Sequence, residues 1–192
     1  MKELNEAILK NGRGIGTDIV KVDMFLNHRL DTGLLFRMGE ALAAHFASAR
    51  PTLILTVESS GIALAMAAAH ALGDLPVVFA KKHAAVNQSD DMAQAPVYSF
   101  THKCENYIRV DRRYVPIGSR VLIVDDFLAD GNAVRGLMDI VRQLDSKTVG
   151  VGIGIEKGFQ KGGQELRQMG IDLMSLAVVT GVEDGVIRLK DD

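Results

Sequence analysis

The stretch Val121-Leu122-Ile123-Val124-Asp125-Asp126-Phe127-Leu128-Ala129-Asp130-Gly131-Asn132-Ala133 decides the fold. Four apolar, mostly β-branched residues run without a polar break, the pattern of a strand buried on both faces in a parallel sheet. Two carboxylates follow, then a short loop containing Gly131. A helix opens at Asn132, with Val134, Leu137, Met138, Val141 and Leu144 at helical spacing. Open α/β sheets bind ligands at the carboxyl ends of their strands. A helix N-terminus behind a glycine turn presents N–H groups and the positive end of the helix dipole, which suits a phosphate. Two adjacent carboxylates suit either a pair of sugar hydroxyls or a magnesium ion, which takes oxygen ligands.

The same grammar repeats on both sides. Leu53-Ile54-Leu55-Thr56-Val57 reads as a buried strand ending in Glu58-Ser59-Ser60-Gly61, and an Ala-rich helix over 62–72 follows. The strand at 77–80 ends at Lys81, Lys82 and His83, and the β-branched run 147–155 ends at Glu156 and Lys157. Asp31 is placed to cap a helix from Thr32 to about Ala49, with Leu34, Leu35, Met38, Leu42 and Phe46 on one stripe. Residues 1–10 predict an amphipathic helix, 14–22 a glycine-rich turn running into a strand, and 23–29 an irregular segment. The polar stretch 84–95 predicts a mobile loop, and 96–101 and 106–110 two arms of an antiparallel pair. A short helix over 162–169, a strand over 171–179 and a β segment over 182–189 with a turn at Glu183-Asp184-Gly185 complete the chain. Gly152 and Gly154 lie within a strand, where they allow a helix to pack closely. Strands alternating with helices predict an α/β fold, a doubly wound, mainly parallel sheet. If the polar strand ends share one edge, they form one site rich in anion-binding groups around two carboxylates.

Composition fits one ordinary globular domain: 192 residues, 47% hydrophobic and 24% charged. A net charge of −2 gives no basic field for nucleic acid. The single cysteine, Cys104, excludes an intrachain disulfide and fits a reducing compartment. His102 lies near it, but nothing completes a zinc set. No apolar run reaches the about 20 residues that span a bilayer, and residues 1–10 do not read as a signal peptide, so the expected location is the cytoplasm. No glycine-rich loop ends in GK[ST], so a P-loop is absent.

The segment 121–133 resembles the phosphoribosyl-diphosphate motif of the type I phosphoribosyltransferases: four hydrophobics, two acids, an apolar residue and a small glycine-containing phosphate loop. The likeness covers nearly the whole chain. With residues 20–28, Glu58-Ser59-Ser60-Gly61-Ile62-Ala63, 77–83, 97–101 and Ile155-Glu156-Lys157-Gly158-Phe159-Gln160, it is similar to the xanthine-using bacterial branch of that family. The resemblance implies a core over about 34–155, a small hood from about 1–30 and 156–192, and a flexible lid over about 82–106. It implies a homodimeric, magnesium-dependent purine-salvage enzyme. Such an enzyme makes xanthosine 5′-monophosphate and pyrophosphate from xanthine and phosphoribosyl diphosphate, with no nucleic-acid or membrane partner.

Carried onto these residues, the resemblance gives Asp125 and Asp126 the ribose hydroxyls and an indirect hold on magnesium through pyrophosphate. It gives Ala129, Asp130, Gly131, Asn132 and Ala133 the 5′-phosphate. Ser59, Ser60 and Gly61 would face the pyrophosphate, and Lys81 and Lys82 would neutralise it, with Tyr98 and Ser99 in the lid. Phe127 would stack on the purine, Lys157 would bond its 6-oxo group, Asn27 would read the 2-oxo edge, and Val20 would contribute by its backbone. From the residues alone, Asn27 is a turn residue, the lysine pair a solvated face and Ser-Ser-Gly a plain turn. Two positions depart from the pattern. Related xanthine enzymes have Asn, and other members Thr, where Asp130 stands. Ala129 stands where hypoxanthine-guanine relatives carry an acid that takes the purine's proton. A hypoxanthine-guanine or adenine enzyme and a non-catalytic sensor of phosphoribosyl diphosphate are the competing readings. The sensor would need a DNA-binding segment, and the first fifty residues show no helix-turn-helix pattern with a basic face.

Overall fold

A computed structural model of the chain describes residues 1–82, 91–99 and 104–190. In chain order, α1 spans Lys2–Asn11, β1 Arg13–Ile15, β2 Ile19–Lys21, α2 Thr32–Phe46, β3 Leu53–Val57, α3 Gly61–Ala71, β4 Val77–Ala80, β5 Met92–Ser99 and β6 Cys104–Asp111. Then come β7 Arg120–Leu128, α4 Asn132–Gln143, β8 Lys147–Lys157, α5 Gly162–Gln168, β9 Leu173–Glu183 and β10 Val186–Leu189. Six strands form the central sheet in the order β10-β9-β8-β7-β3-β4. All neighbours are parallel except β10, which returns antiparallel on β9. The expected mainly parallel sheet is therefore present, with β7 in its middle.

The two faces carry separate cores. Leu122 and Val124 of β7 look toward α1, α2 and α3, where Leu4, Leu42, Phe46 and Leu64 are fully buried. Val121 and Ile123 look toward α4, α5 and the β5–β6 arm, where Leu137, Ile140, Leu166 and Ile108 meet them. Strand alternation in a sheet covered on both sides requires this pattern. Asp31 caps α2 as expected, its Oδ1 accepting the Leu34 N–H at 3.0 Å. The glycines of β8 admit α2: a Cβ at Gly150 would lie 2.4 Å from Phe46, and one at Gly152 3.0 Å from Leu42.

Several expectations change. β7 does not stop before the acids but runs through them to Leu128, because the long β8 supplies ladder partners as far as Phe127–Ile155 and Leu128–Glu156. The helix after Asp31 ends at Phe46, and Ala47–Ala49 form a 3₁₀ turn. Residues 13–21 form a hairpin of two short strands. The irregular segment is a π-helical turn over Asp23–Asn27, anchored by buried Phe25 and Leu26. The polar loop is shorter than expected at its far end, since β5 begins at Met92 and pairs with β6 over its whole length. Residues 83–90 and 100–103, about half of the expected lid, and the side chains of Tyr98 and Ser99 lie outside the described residues. Asp184 (φ 49°) and Gly185 (φ 80°) turn β9 into β10 as a tight Asp-Gly hairpin. The N- and C-terminal segments meet there, Gly14 N–H donating to the Gly185 carbonyl at 3.0 Å.

Candidate active site

The sheet order places the carboxyl ends of β8, β7, β3 and β4 side by side, and the polar segments singled out in the sequence stand at those four ends. Asp125 and Asp126 sit between the turn after β3 and the loop after β7. Both are buried, 5% and 8% exposed. Asp125 lies against the start of α3: a Cβ at Gly61 would be 2.5 Å from Asp125 Oδ1 and 2.4 Å from Thr56 Oγ1. Only glycine fits there. Thr56 is fully buried and its hydroxyl has no hydrogen-bond partner, a signal the sequence hid inside an otherwise aliphatic strand. Burial pushes the Asp125 carboxyl well above the usual carboxylate range, the charge of Asp126 adds to this, and Lys82 opposes it. Asp125 Oδ1 also accepts the Asp126 N–H at 3.0 Å.

Asp126 faces the N-terminal layer. Its Oδ2 accepts a hydrogen bond from Asn27 Nδ2, delivered by the π-helical turn. So Asn27, which sequence alone would leave as a turn residue, reaches the acidic pair. Lys157, at the end of β8, donates to the Asp18 carbonyl at 2.8 Å across the same layer. Burial lowers its pKa, partly offset by Asp18. Val20 is buried two residues on, its backbone in the β1–β2 hairpin. Phe127 is half-buried against the same core.

Beyond β7, Gly131 takes φ 83° and opens α4. That positive φ favours glycine. The Asp130 carboxylate folds back on the loop, accepting the Asn132 N–H at 3.1 Å and Asn132 Nδ2 at 2.8 Å. Ala129 offers no titratable group. The turn after β3 carries exposed Ser59 and half-buried Ser60, with a cis Glu58–Ser59 peptide. Glu58 Oε1 accepts the Lys82 N–H at 2.6 Å, and Lys81 pairs by backbone with Arg109, at 2.9 Å in each direction. Those bonds tie the exposed lysines to the sheet edge beside the acids. Thr56 was not singled out from sequence, because its place beside Gly61 comes from the turn between β3 and α3, which residue spacing does not show.

Among the described residues, no three His, Cys, Asp or Glu side chains converge as a self-sufficient metal cage. No helix of these residues is long and apolar enough to cross a membrane.

Residues 31–167 match the phosphoribosyl transferase domain family. A protein of Heliobacterium modesticaldum named xanthine phosphoribosyltransferase is 50% identical over 187 residues, 97% of this chain and 98% of its own. Proteins of the same name from Bifidobacterium longum and Geobacillus thermodenitrificans are 48% and 46% identical, each across 192 residues and at least 98% of both chains. Among solved structures, the adenine phosphoribosyltransferase of Rhodothermus marinus superposes with a TM-score of 0.74 over 93% of this chain and 100% of its own, at 21% identity. The enzyme of that name from Trypanosoma brucei gives 0.73 at 19% identity, covering 91% of this chain and 78% of its own. At those identities the structural likeness speaks for the fold alone. With the family match over residues 31–167 and the full-length relatives behind it, the chain belongs to the phosphoribosyl transferase domain family.

Proposed function

We propose that this phosphoribosyltransferase serves purine salvage by transferring the 5-phosphoribosyl group to xanthine, releasing xanthosine 5′-monophosphate and pyrophosphate. The observation that carries it is the buried acidic pair at the end of β7, flanked by the Ser59-Ser60-Gly61 turn after β3 and the glycine turn that opens α4. The named relatives at 46–50% identity point to xanthine as the base.

In this reading Asp125 and Asp126 hold the ribose 2′- and 3′-hydroxyls, from which a carboxyl oxygen accepts whether neutral or charged, and more strongly when charged. The same carboxylates stand near C1′, where positive charge grows as pyrophosphate departs, so they favour the transition state over the ground state. The 129–133 loop takes the 5′-phosphate on backbone N–H groups. Ser59, Ser60 and Gly61 face the leaving pyrophosphate, and Lys81 and Lys82 neutralise it. Phe127 stacks on the purine, Lys157 donates to its 6-oxo group, Asn27 meets the 2-oxo edge and the Val20 backbone closes the pocket. Nothing at Ala129 takes the proton from the base, so xanthine, acidic for a purine, enters as its anion.

A magnesium ion accompanies the pyrophosphate. The donor set fits it: magnesium keeps waters and phosphate oxygens, so Asp125 and Asp126 would hold it indirectly, through the pyrophosphate. When bound it offsets phosphate charge. Two copies of the chain form the working unit, for which the exposed Phe36 and Met66 beside the α2–α3 groove provide an apolar surface, and the enzyme works in the cytoplasm.

The test mixes the protein, magnesium and phosphoribosyl diphosphate with xanthine and follows xanthosine 5′-monophosphate by chromatography. Equimolar nucleotide and pyrophosphate are expected. Binding of phosphoribosyl diphosphate with no nucleotide from any purine would replace this reading with that of a sensor.

A further inference from the structure

Asp130 puts a carboxylate into a loop assigned to a phosphate, and the neighbouring Arg135 bonds that residue's backbone carbonyl rather than its carboxylate. Arg135 lies one turn into α4, its backbone N–H bonded to the Gly131 carbonyl at 2.9 Å. Its side chain folds back under the loop. Nη2 donates to the Asp130 carbonyl at 2.8 Å and to Asn132 Oδ1 at 2.8 Å. Nη1 donates to Glu165 Oε2 on α5, also at 2.8 Å. The guanidinium is only part-exposed, at 31% for its side chain. The loop is pressed from the same side: Gly162 N–H donates to the Ala129 carbonyl at 3.2 Å, and a Cβ at Gly162 would lie 2.4 Å from that oxygen.

We propose that Arg135, held in place by Glu165, is a positioning residue that sets the shape of the 129–133 loop for the sugar 5′-phosphate. The role rests on the function proposed above. A planar guanidinium can bond two loop oxygens and a carboxylate at once; a lysine ammonium at the same place cannot keep that fork. With the Asp130 carbonyl and the Asn132 side chain fixed, the amides that follow Asn132 in the first turn of α4, Asn132's own N–H being held by Asp130 Oδ1, stay aligned for the phosphate. The preset loop spares substrate the cost of ordering it.

The experiment is steady-state kinetics on wild type, Arg135→Gln, Arg135→Lys and Glu165→Gln, with thermal melts alongside. The expected result for Arg135→Gln is a KM for phosphoribosyl diphosphate raised at least about tenfold, with the KM for xanthine and kcat at saturation within about twofold. Arg135→Lys should resemble the glutamine variant, and Glu165→Gln should show a smaller rise of the same kind. An unchanged KM for phosphoribosyl diphosphate in Arg135→Gln overturns the role, and so does full rescue by lysine, which would show that charge alone suffices. If Arg135→Gln does not fold, Glu165→Gln decides, and an unchanged KM there overturns the role. An inactive wild type would instead overturn the functional reading on which the role rests; an active wild type confines any failure to Arg135.

Discussion

Asp126 is the residue with most at stake. It is 8% exposed, accepts from Asn27 and neighbours a carboxyl that burial pushes toward its neutral form. If it meets charge that grows at C1′, its loss should appear in turnover before binding. Asp126→Asn should lower kcat by about 10²-fold or more, the scale of a lost transition-state contact, while xanthine affinity changes less. Unchanged kcat, measured by pyrophosphate release, would remove Asp126 from the chemistry. Asn27 yields a second test of the same kind. A site that hydrogen-bonds a substrate group discriminates strongly against analogues lacking it. Asn27→Ala should therefore cost xanthine more than hypoxanthine in kcat/KM, and equal losses would leave Asn27 only as a partner of Asp126. The two acids were legible because carboxylates rarely end a buried aliphatic run. Asn27 was not legible from its neighbours; the resemblance raised it, and the π-helical turn carries it to Asp126.

Secondary elements were read most clearly where one period dominated. The β-branched runs gave β3, β7 and β8, and the apolar stripe with its Asp31 cap gave α2. Extent was harder. β7 continues through two charged residues because its ladder partners on β8 outweigh what Asp125 and Asp126 would prefer locally. The brace formed by α5 was invisible in sequence, being built from long-range pairs. Glu156, 4% exposed, accepts from Arg167 Nη1 at 2.8 Å and Nη2 at 2.7 Å and from Ser175 Oγ. Burial alone would raise its pKa, but the Arg167 and Ser175 bonds outweigh it and hold the carboxyl below its ordinary value. A depressed carboxylate adds stability that is full above its unfolded pKa and is lost as pH falls through the folded one. Glu156→Gln should therefore destabilise the protein by about 1–3 kcal/mol at pH 7, with the gap to wild type closing in acid below the carboxylate range. Urea titrations at neutral and acid pH would show it; a gap that is constant with pH would contradict the assignment.

At the scale of the molecule, the sheet order matters more than any single residue. β3, β7 and β8 are adjacent, so turns far apart in sequence become walls of one site. The N-terminal hairpin meets the β9–β10 turn through Gly14 and Gly185, and its Asp18 carbonyl accepts from Lys157 at the end of β8. Alternating strands and helices predict such an edge, but not which strand lies next to which, and the walls depend on that order. Lys157 stands at the end of β8, next to β7, and Asn27 meets Asp126; the proposed preference for a 2,6-dioxo purine rests on these two residues. The most direct measurement is kcat/KM for xanthine, guanine, hypoxanthine and adenine under one condition, with magnesium and saturating phosphoribosyl diphosphate. Xanthine should lead, with adenine, which lacks both oxo groups, at the level of background. Adenine or hypoxanthine turned over as well as xanthine would contradict the account.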